Sequence, residues 1–271
     1  MFRNNFGDRI DAYDQEKKIF ELADIVICLS KDTLQLVEEE YLVSKNKLRL
    51  IPNGLKDTKT ISTHKKMKLR RKYNIPTDEK ILLFAGRLHP IKGIFPLLSC
   101  FRKILKEHPS CRIVLVGDGD FMGSLKKCGD IWANVIFTGR LKQKELYNWY
   151  QIADIGLFLS YYEECSYVGI EMMMHGLPII ASDGYSVRNM FSDKGNAIVS
   201  KIGSQKKTTK FVQELESAML SLLFFPDLCE KMSEKSRKMY KDIYSINRMK
   251  CNFKELFKVT ASKTEASNIK K

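Results

Sequence analysis

Four side chains carry the chemical interest of this sequence. Arg87 and Lys92 share the stretch GRLHPIKG (86–93), while Glu163 and Glu171 are separated by seven residues in YEECSYVGIEMMMHGLP (162–178). An ionised carboxylate accepts hydroxyl donors, and charge-assisted bonds are the stronger kind, so the two Glu suit a ligand that presents hydroxyls. Arg offers a planar fork of donors to phosphate oxygens and Lys a compact point charge, so together they can stabilise charge on a departing phosphate. The plain alternatives are two Glu flanking a buried helix and two solvated cations in a chain holding 46 Lys and Arg.

The elements that must position these residues decide between the readings. Ile155–Ser160 is an apolar run of strand character, and Val168–His175 reads as a short Met-rich helix ended by Gly176. The Glu pair therefore straddles a strand-to-helix turn, which in an open α/β sheet lies at the carboxyl edge where ligands bind. The Arg87/Lys92 loop likewise follows an apolar run, ILLFA (81–85), and is flanked by Gly86 and Gly93 where backbone must turn or approach closely. Further β-rich runs are RIVLVG (112–117), VIFTG (135–139), PIIAS (178–182) and AIVS (197–200), with an amphipathic helical pattern at Phe95–Lys106. Alternating βα units predict an α/β fold with a parallel sheet covered on both faces. No G-x-G-x-x-G is present, and Gly117-Asp118-Gly119 alone is weak evidence for a dinucleotide fold.

Glu-x7-Glu followed by HGLPII, with GRL…KG, VGDGD (116–120) and FTGRL (137–141) ahead of it in order, resembles the donor domain of the retaining glycosyltransferases of family 4, of the GT-B fold. The resemblance covers roughly residues 20–258. It implies that Arg87 and Lys92 hold the donor diphosphate, that Glu163 faces the sugar hydroxyls and that Glu171 accepts from the nucleotide ribose. Arg87, Lys92 and Glu163 are then the catalytic residues. Gly86, Gly139, Cys165, Ser166, Tyr167 and Glu171 are the donor-binding set, with backbone near Gly139 meeting the base. The implied reaction moves a sugar from UDP- or GDP-sugar to an acceptor hydroxyl with retained configuration, in synthesis of cell-surface glycans or glycolipids. No cofactor or metal is implied. Where the family often has Gly after the first Glu, this chain has Glu164, a carboxylate that must point away from a phosphate site. Ser166 is expected to cap the following helix. His89, His108 and His175 lack ligand spacing and read as surface or capping residues.

Ahead of this domain, Asp11–Leu22 is helical in pattern, Ala23–Ser30 a strand run, Ser30 the cap of a helix, and Lys47–Ile51 a strand leading into the turn Pro52-Asn53-Gly54. This resembles the last unit of a GT-B N-terminal domain, so residues 1–55 are expected to be a remnant of that lobe and the chain a shortened enzyme or fragment. Residues 56–240 are the donor domain, 241–258 a crossover helix, and 259–271 a disordered tail. Six basic residues within 65–72 read as a solvated helix face.

Composition adds bounds. Of 271 residues, 44% are hydrophobic and 29% charged, and no apolar run has membrane-spanning length, so a cytoplasmic location is expected, with possible peripheral contact at the inner membrane face. Seven scattered cysteines show no CxxC spacing and read as reduced thiols. The net charge of +14 suits an anionic partner, a nucleotide diphosphate or an acidic membrane surface. The expected partners are the nucleotide-sugar donor, a glycan or lipid-linked acceptor, and another copy or subunit that completes the cleft. A glycoside hydrolase, whose two carboxylates would flank the scissile bond without need of Arg87 and Lys92, a nucleotide-sugar-binding protein without transferase activity and a basic nucleic-acid-binding module are the competing readings. No nucleic acid is expected, because no aromatic interleaving or recognised motif accompanies the basic run.

Overall fold

The structure is a computed structural model that describes residues 9–58, 60–191 and 195–268. It divides into two compact units, Met1–Pro52 and Asn53–Lys271. The boundary falls at Pro52, ahead of the expected 55, because Asn53–Leu55 is hydrogen-bonded into the second unit. Leu55 N–H donates to Tyr244 O at 2.9 Å, and Leu55 O accepts from Ile246 N–H at 2.8 Å.

In the first unit, helix α1 (Arg9–Leu22) precedes strand β1 (Val26–Cys28), helix α2 (Lys31–Glu39) and strand β2 (Leu48–Leu50). The two strands pair in parallel, with Val26 opposite Leu48. Ser30 caps α2 as expected, its Oγ accepting from Thr33 N–H at 3.0 Å. Val26, Cys28, Val37, Val43 and Leu48 form a small core against which Phe20, Leu34 and Tyr41 pack.

The second unit begins with helix α3 (Thr63–Lys72), which buries no residue, in keeping with its run of cations. Strands β3 (Lys80–Ala85), β4 (Cys111–Val116), β5 (Val135–Gly139), β6 (Ile155–Phe158), β7 (Ile179–Ser182) and β8 (Ala197–Ser200) follow. They alternate with helices α4 (Ile94–Glu107), α5 (Phe121–Cys128), α6 (Gln143–Ile152), α7 (Tyr167–Met174) and the short α8 (Val187–Met190). All six predicted strands are present, and every pairing is parallel in the order β5-β4-β3-β6-β7-β8. The inner strands β3, β4, β6 and β7 are buried along nearly their whole length, as in a parallel sheet covered on both faces, while the edge strands β5 and β8 are mostly half-buried. Helix α4 and helix α9 (Thr209–Phe224) cover one face, with Leu97, Phe101, Leu215 and Met219 packed onto Leu82, Phe84, Ile113 and Leu115. Helix α10 (Pro226–Met239) packs on α7.

Beyond α10 a π-helical turn, Tyr240–Tyr244, leads into helix α11 (Ile246–Asn268). The backbone is thus helical to Asn268, where the sequence suggests a disordered tail from 259; residues 269–271 lie outside the described residues. No helix among the described residues is long and apolar enough to cross a membrane.

The carboxyl ends of β3, β4 and β5 are tied together by backbone. Gly86 N–H donates to Val116 O and Gly117 N–H to Gly139 O, each at 2.9 Å. Leu88 N–H donates to Asp118 O and Asp120 N–H to Leu88 O, each at 2.7 Å. Asp118 therefore serves the loop through its carbonyl. Gly117 is required at this crossing, since at φ 137° a Cβ would lie 1.9 Å from Gly86 O. Gly117→Ala is expected to cost about 2–3 kcal/mol, measured as a lowered urea midpoint; an unchanged midpoint would show that the loops can separate without penalty.

Candidate active site

Strands β3 and β6 lie side by side in the sheet although about 70 residues separate them in sequence, with Leu82 opposite Ile155 and Phe84 opposite Leu157. From β3 the chain turns outward toward β4 and from β6 toward β7, so the direction of winding reverses between them. Crevices at such a reversal are the usual ligand sites of open α/β sheets. The Arg87/Lys92 loop leaves β3 here, and the Glu163 loop leaves β6.

The two loops are held together closely. Tyr161 N–H donates to Ile91 O at 2.9 Å. Gly93, at φ 73°, passes so near that a Cβ would sit 2.4 Å from Leu159 O. The intervening Pro90–Lys92 segment is one 3-10 turn, capped by His89, whose Nδ1 accepts from Ile91 N–H at 3.2 Å. Lys92 is thereby aimed at Glu163, and Lys92 Nζ and Glu163 Oε1 form a short ion pair. Ser160 Oγ–H donates to the same carboxylate oxygen at 2.7 Å. Glu163 N–H donates to Tyr185 O at 3.1 Å, which fixes the loop from its other side.

Around the pair is a cavity of about 40 Å³ lined by Gly86, Lys92, Ser160, Glu163, Ser166 and Val168 together with the ends of β3 and β6. The structure thus brings together Lys92, Glu163, Gly86 and Ser166 from the expected site. Arg87 is exposed on the loop beside Gly86, with no acidic partner among the described residues. Gly139 is exposed with φ 66° and open space about it, and Tyr167 is 52% exposed at the start of α7. Glu164 does not line the cavity.

Cys165, expected among the donor-binding residues, has a buried thiol, pushed up to about 11 by that burial, and lies outside the cavity lining. One expectation needs correction. Ser166 occupies the N-cap position of α7, but its hydroxyl accepts no capping bond. The first amides of α7 are left without a side-chain cap, the arrangement that favours an anion at a helix start.

Glu171 sits apart from that cavity, on the buried face of α7 that meets α6. Tyr150 O–H donates to Glu171 Oε2 at 3.1 Å, and the Tyr147 phenol, near enough to lower the Glu171 carboxyl, accepts from Gln143 Nε2–H at 3.0 Å. Burial raises the Glu171 carboxyl above its usual range despite both tyrosines, and pushes the Tyr147 phenol up to about 12. His175, expected at the surface or as a cap, takes the C-cap position of α7 and stacks on Tyr150 at 5.2 Å. Its Nδ1–H donates to Glu171 O at 2.8 Å, and its Nε2 faces Thr58 Oγ1 at 3.4 Å. Tyr147, Tyr150 and His175 thus form an aromatic wall around Glu171. Their spacing as i and i+3 on one helix shows the tyrosines share a face, but nothing in the sequence pairs that face with α7. Among the described residues no group of three His, Cys, Asp or Glu is placed to hold a metal ion.

With this geometry in view, residues 65–239 match the family of glycosyl transferases group 1. The chain belongs to that family. It is 33% identical over 178 residues to an alpha-monoglucosyldiacylglycerol synthase of Streptococcus pneumoniae, a match covering 63% of this chain and 40% of that protein. In fold it resembles a sucrose-phosphate synthase of Thermosynechococcus elongatus, with a TM-score of 0.77 at 23% identity over 93% of this chain and 62% of the other. It also resembles Anabaena HepE solved in complex with UDP and glucose, with a TM-score of 0.75 at 16% identity over 91% of this chain and 67% of the other. The α/β fold with its parallel sheets is that of GT-B glycosyltransferases. The chain spans less than two thirds of the length of the first two proteins named.

Acid stability tests the aromatic wall. Burial lowers His175 from 6.5 to about 4, so between those values the unfolded chain binds a proton that the folded chain refuses. The neutral ring's contribution is complete above pH 6.5 and lost as pH falls toward 4. Glu171 acts in the opposite sense, since its raised carboxyl makes the ionised form a cost that is relieved on acidification. His175→Gln is expected to flatten the fall in urea midpoint between pH 6.5 and 4; an identical slope in both proteins would mean that His175 is open to water.

Proposed function

We propose that this chain binds a UDP- or GDP-sugar at the carboxyl edge between β3 and β6 and that the enzyme it forms transfers the sugar to an acceptor hydroxyl with retained configuration. The observation that carries the reading is the meeting of Lys92 and Glu163, brought from loops 71 residues apart into one ion pair beside a helix start. A structural salt bridge at this depth would be a weak source of stability, because desolvating both ions consumes most of their attraction. A cation and a carboxylate held ready at a ligand crevice are better explained as groups that exchange one another for a substrate.

In the proposed reaction the diphosphate is held by Lys92 and by Arg87, the exposed cation on the same loop, with the uncapped amides of α7 adding donors. As the bond from the anomeric carbon to the leaving oxygen breaks, negative charge grows on the diphosphate, and fixed cations stabilise that charge more than the ground state. Glu163, freed from Lys92 but still bonded by Ser160, accepts from sugar hydroxyls. Glu171 accepts from the ribose, its carboxylate oriented by Tyr150. The residues so placed supply the positive charge themselves, and we propose that no metal is needed.

The acceptor is proposed to be a glycan or lipid-linked hydroxyl. Support comes from the Streptococcus relative, whose name gives a diacylglycerol glycolipid as its product. The proposed place of work is the cytoplasm, at the inner membrane face where such an acceptor is presented.

Isothermal titration with UDP and GDP in EDTA tests the donor reading. Arg87→Ala is expected to weaken the preferred nucleotide by about 10-fold or more, from about 1.5–3 kcal/mol for a charge-assisted contact. Glu171→Gln should weaken the bare nucleotide, whereas Glu163→Gln should spare it and weaken only the sugar-bearing donor. Equal affinity in Arg87→Ala and wild type would remove the diphosphate assignment, and loss of binding in EDTA would restore a metal to the site.

A further inference from the structure

The loop that carries Glu163 is tied at its far end by a residue from a distant part of the chain. Asn53 Nδ2–H donates to Cys165 O at 2.9 Å, across 112 residues of sequence. We propose that Asn53 is a positioning residue for the donor site: its side-chain amide fixes the Glu163–Ser166 loop and hence the wall that meets the donor sugar. This rests on the donor reading given above and adds to it a residue that touches neither sugar nor phosphate.

Asn53 is itself a rigid post. Gly54 lies so close to the start of α11 that a Cβ would stand 2.8 Å from both Ser245 O and Met249 Cβ. Leu55 is bonded on both sides, its N–H to Tyr244 O at 2.9 Å and its O to Ile246 N–H at 2.8 Å, with Tyr240 O–H donating to that same oxygen at 2.9 Å. The π-helical turn Tyr240–Tyr244 supplies two of these partners. Such turns are uncommon and are frequent at functional places.

From this post the amide reaches a carbonyl that sits two residues after Glu163 and one before Ser166. Glu163 has three other holds, from Lys92, Ser160 and Tyr185. Ser166 has no side-chain cap bond to α7. The Cys165 carbonyl is therefore the fixed point from which Ser166 and Val168 are presented to the cavity. The Cys165 thiol is buried, so its exposure reports on this loop. A buried carbonyl that loses its donor is costly, and a loop in that state moves until it finds another.

Two variants test this. Asn53→Asp keeps the shape and loses the donor, and Asn53→Ala removes the side chain. Each is treated undenatured with iodoacetamide and the labelled cysteines are mapped by mass spectrometry, then titrated with UDP, GDP, UDP-glucose and GDP-mannose. The expected result is at least a 10-fold faster labelling of Cys165 while Cys100 and Cys111, fully buried in the sheet's core, stay protected and report an intact fold. Affinity for bare nucleotide is expected to fall less than that for the sugar-bearing donor, so that the ratio of sugar-donor to nucleotide affinity falls at least 5-fold. Unchanged Cys165 labelling in a protected fold overturns the proposal, as does faster labelling with an unchanged ratio. If Asn53→Asp exposes Cys100 and Cys111, Asn53→Ala decides the matter by the same two readings, and exposure in both overturns the local role in favour of a global one. A wild-type chain that binds none of the four ligands overturns the donor reading and the proposal with it; wild-type donor binding with an unchanged ratio overturns the proposal alone.

Discussion

The contact on which the site depends is the passage of Gly93 against the Leu159 carbonyl. Any Cβ at residue 93 would collide with that oxygen at 2.4 Å, and the positive φ is one that glycine adopts freely. This approach lets Ile91 O accept from Tyr161 N–H and delivers Lys92 to Glu163. Neither loop would place its charge from its own backbone alone. The sheet order supplies the adjacency, because a parallel strand cannot be joined to its neighbour by a tight turn and its partners come from far along the chain.

The electrostatics divide the two carboxylates by environment. Glu163 is paired with Lys92 and bonded by the Ser160 hydroxyl at a crevice. Among the described residues Glu171 forms no ion pair and is bonded by the Tyr150 phenol, and burial raises its carboxyl. A buried carboxylate without a counter-ion destabilises the fold, and stability alone would favour Gln or Leu there. In the proposed reaction a ligand that bonds the ionised form offsets that cost.

Much of the fold is legible in the sequence. Six apolar runs become six strands because a doubly covered parallel sheet leaves no polar face to confuse the pattern, and α4 and α9 declare themselves by one apolar stripe. The loops bearing Lys92 and Glu163 are legible as loops, since their glycines and strand flanks are local signals. What faces what is not. Cys165 groups with the donor residues by its place in the loop, and only packing shows its thiol turned inward. Ser166 has a capping residue's chemistry and position but not its bond. The expected unit boundary falls three residues late because Pro52-Asn53-Gly54 reads as a turn whether or not Asn53 reaches Cys165. The tail reads as disordered from the polarity of its residues, although the backbone helix that begins at Ile246 continues to Asn268.

These features bear on how a site of this kind can be assembled ahead of its ligand at no great penalty. Lys92 and Glu163 would each be costly to bury alone, and pairing them removes most of that cost without demanding a ligand. A diphosphate offers Lys92 a stronger partner than one carboxylate does, and sugar hydroxyls offer Glu163 neutral donors in place of a cation. Exchange of one set for the other conserves the number of satisfied groups, so the barrier to entry is the reorientation of two side chains. In the proposed reaction the side chains swap partners while the surrounding backbone, stitched at Gly86, Gly117 and Tyr161, stays in place. In the proposed reaction the fixed backbone is what converts that swap into a directed field on the leaving diphosphate, because dipoles and charges already in place need no reorganisation as the bond breaks.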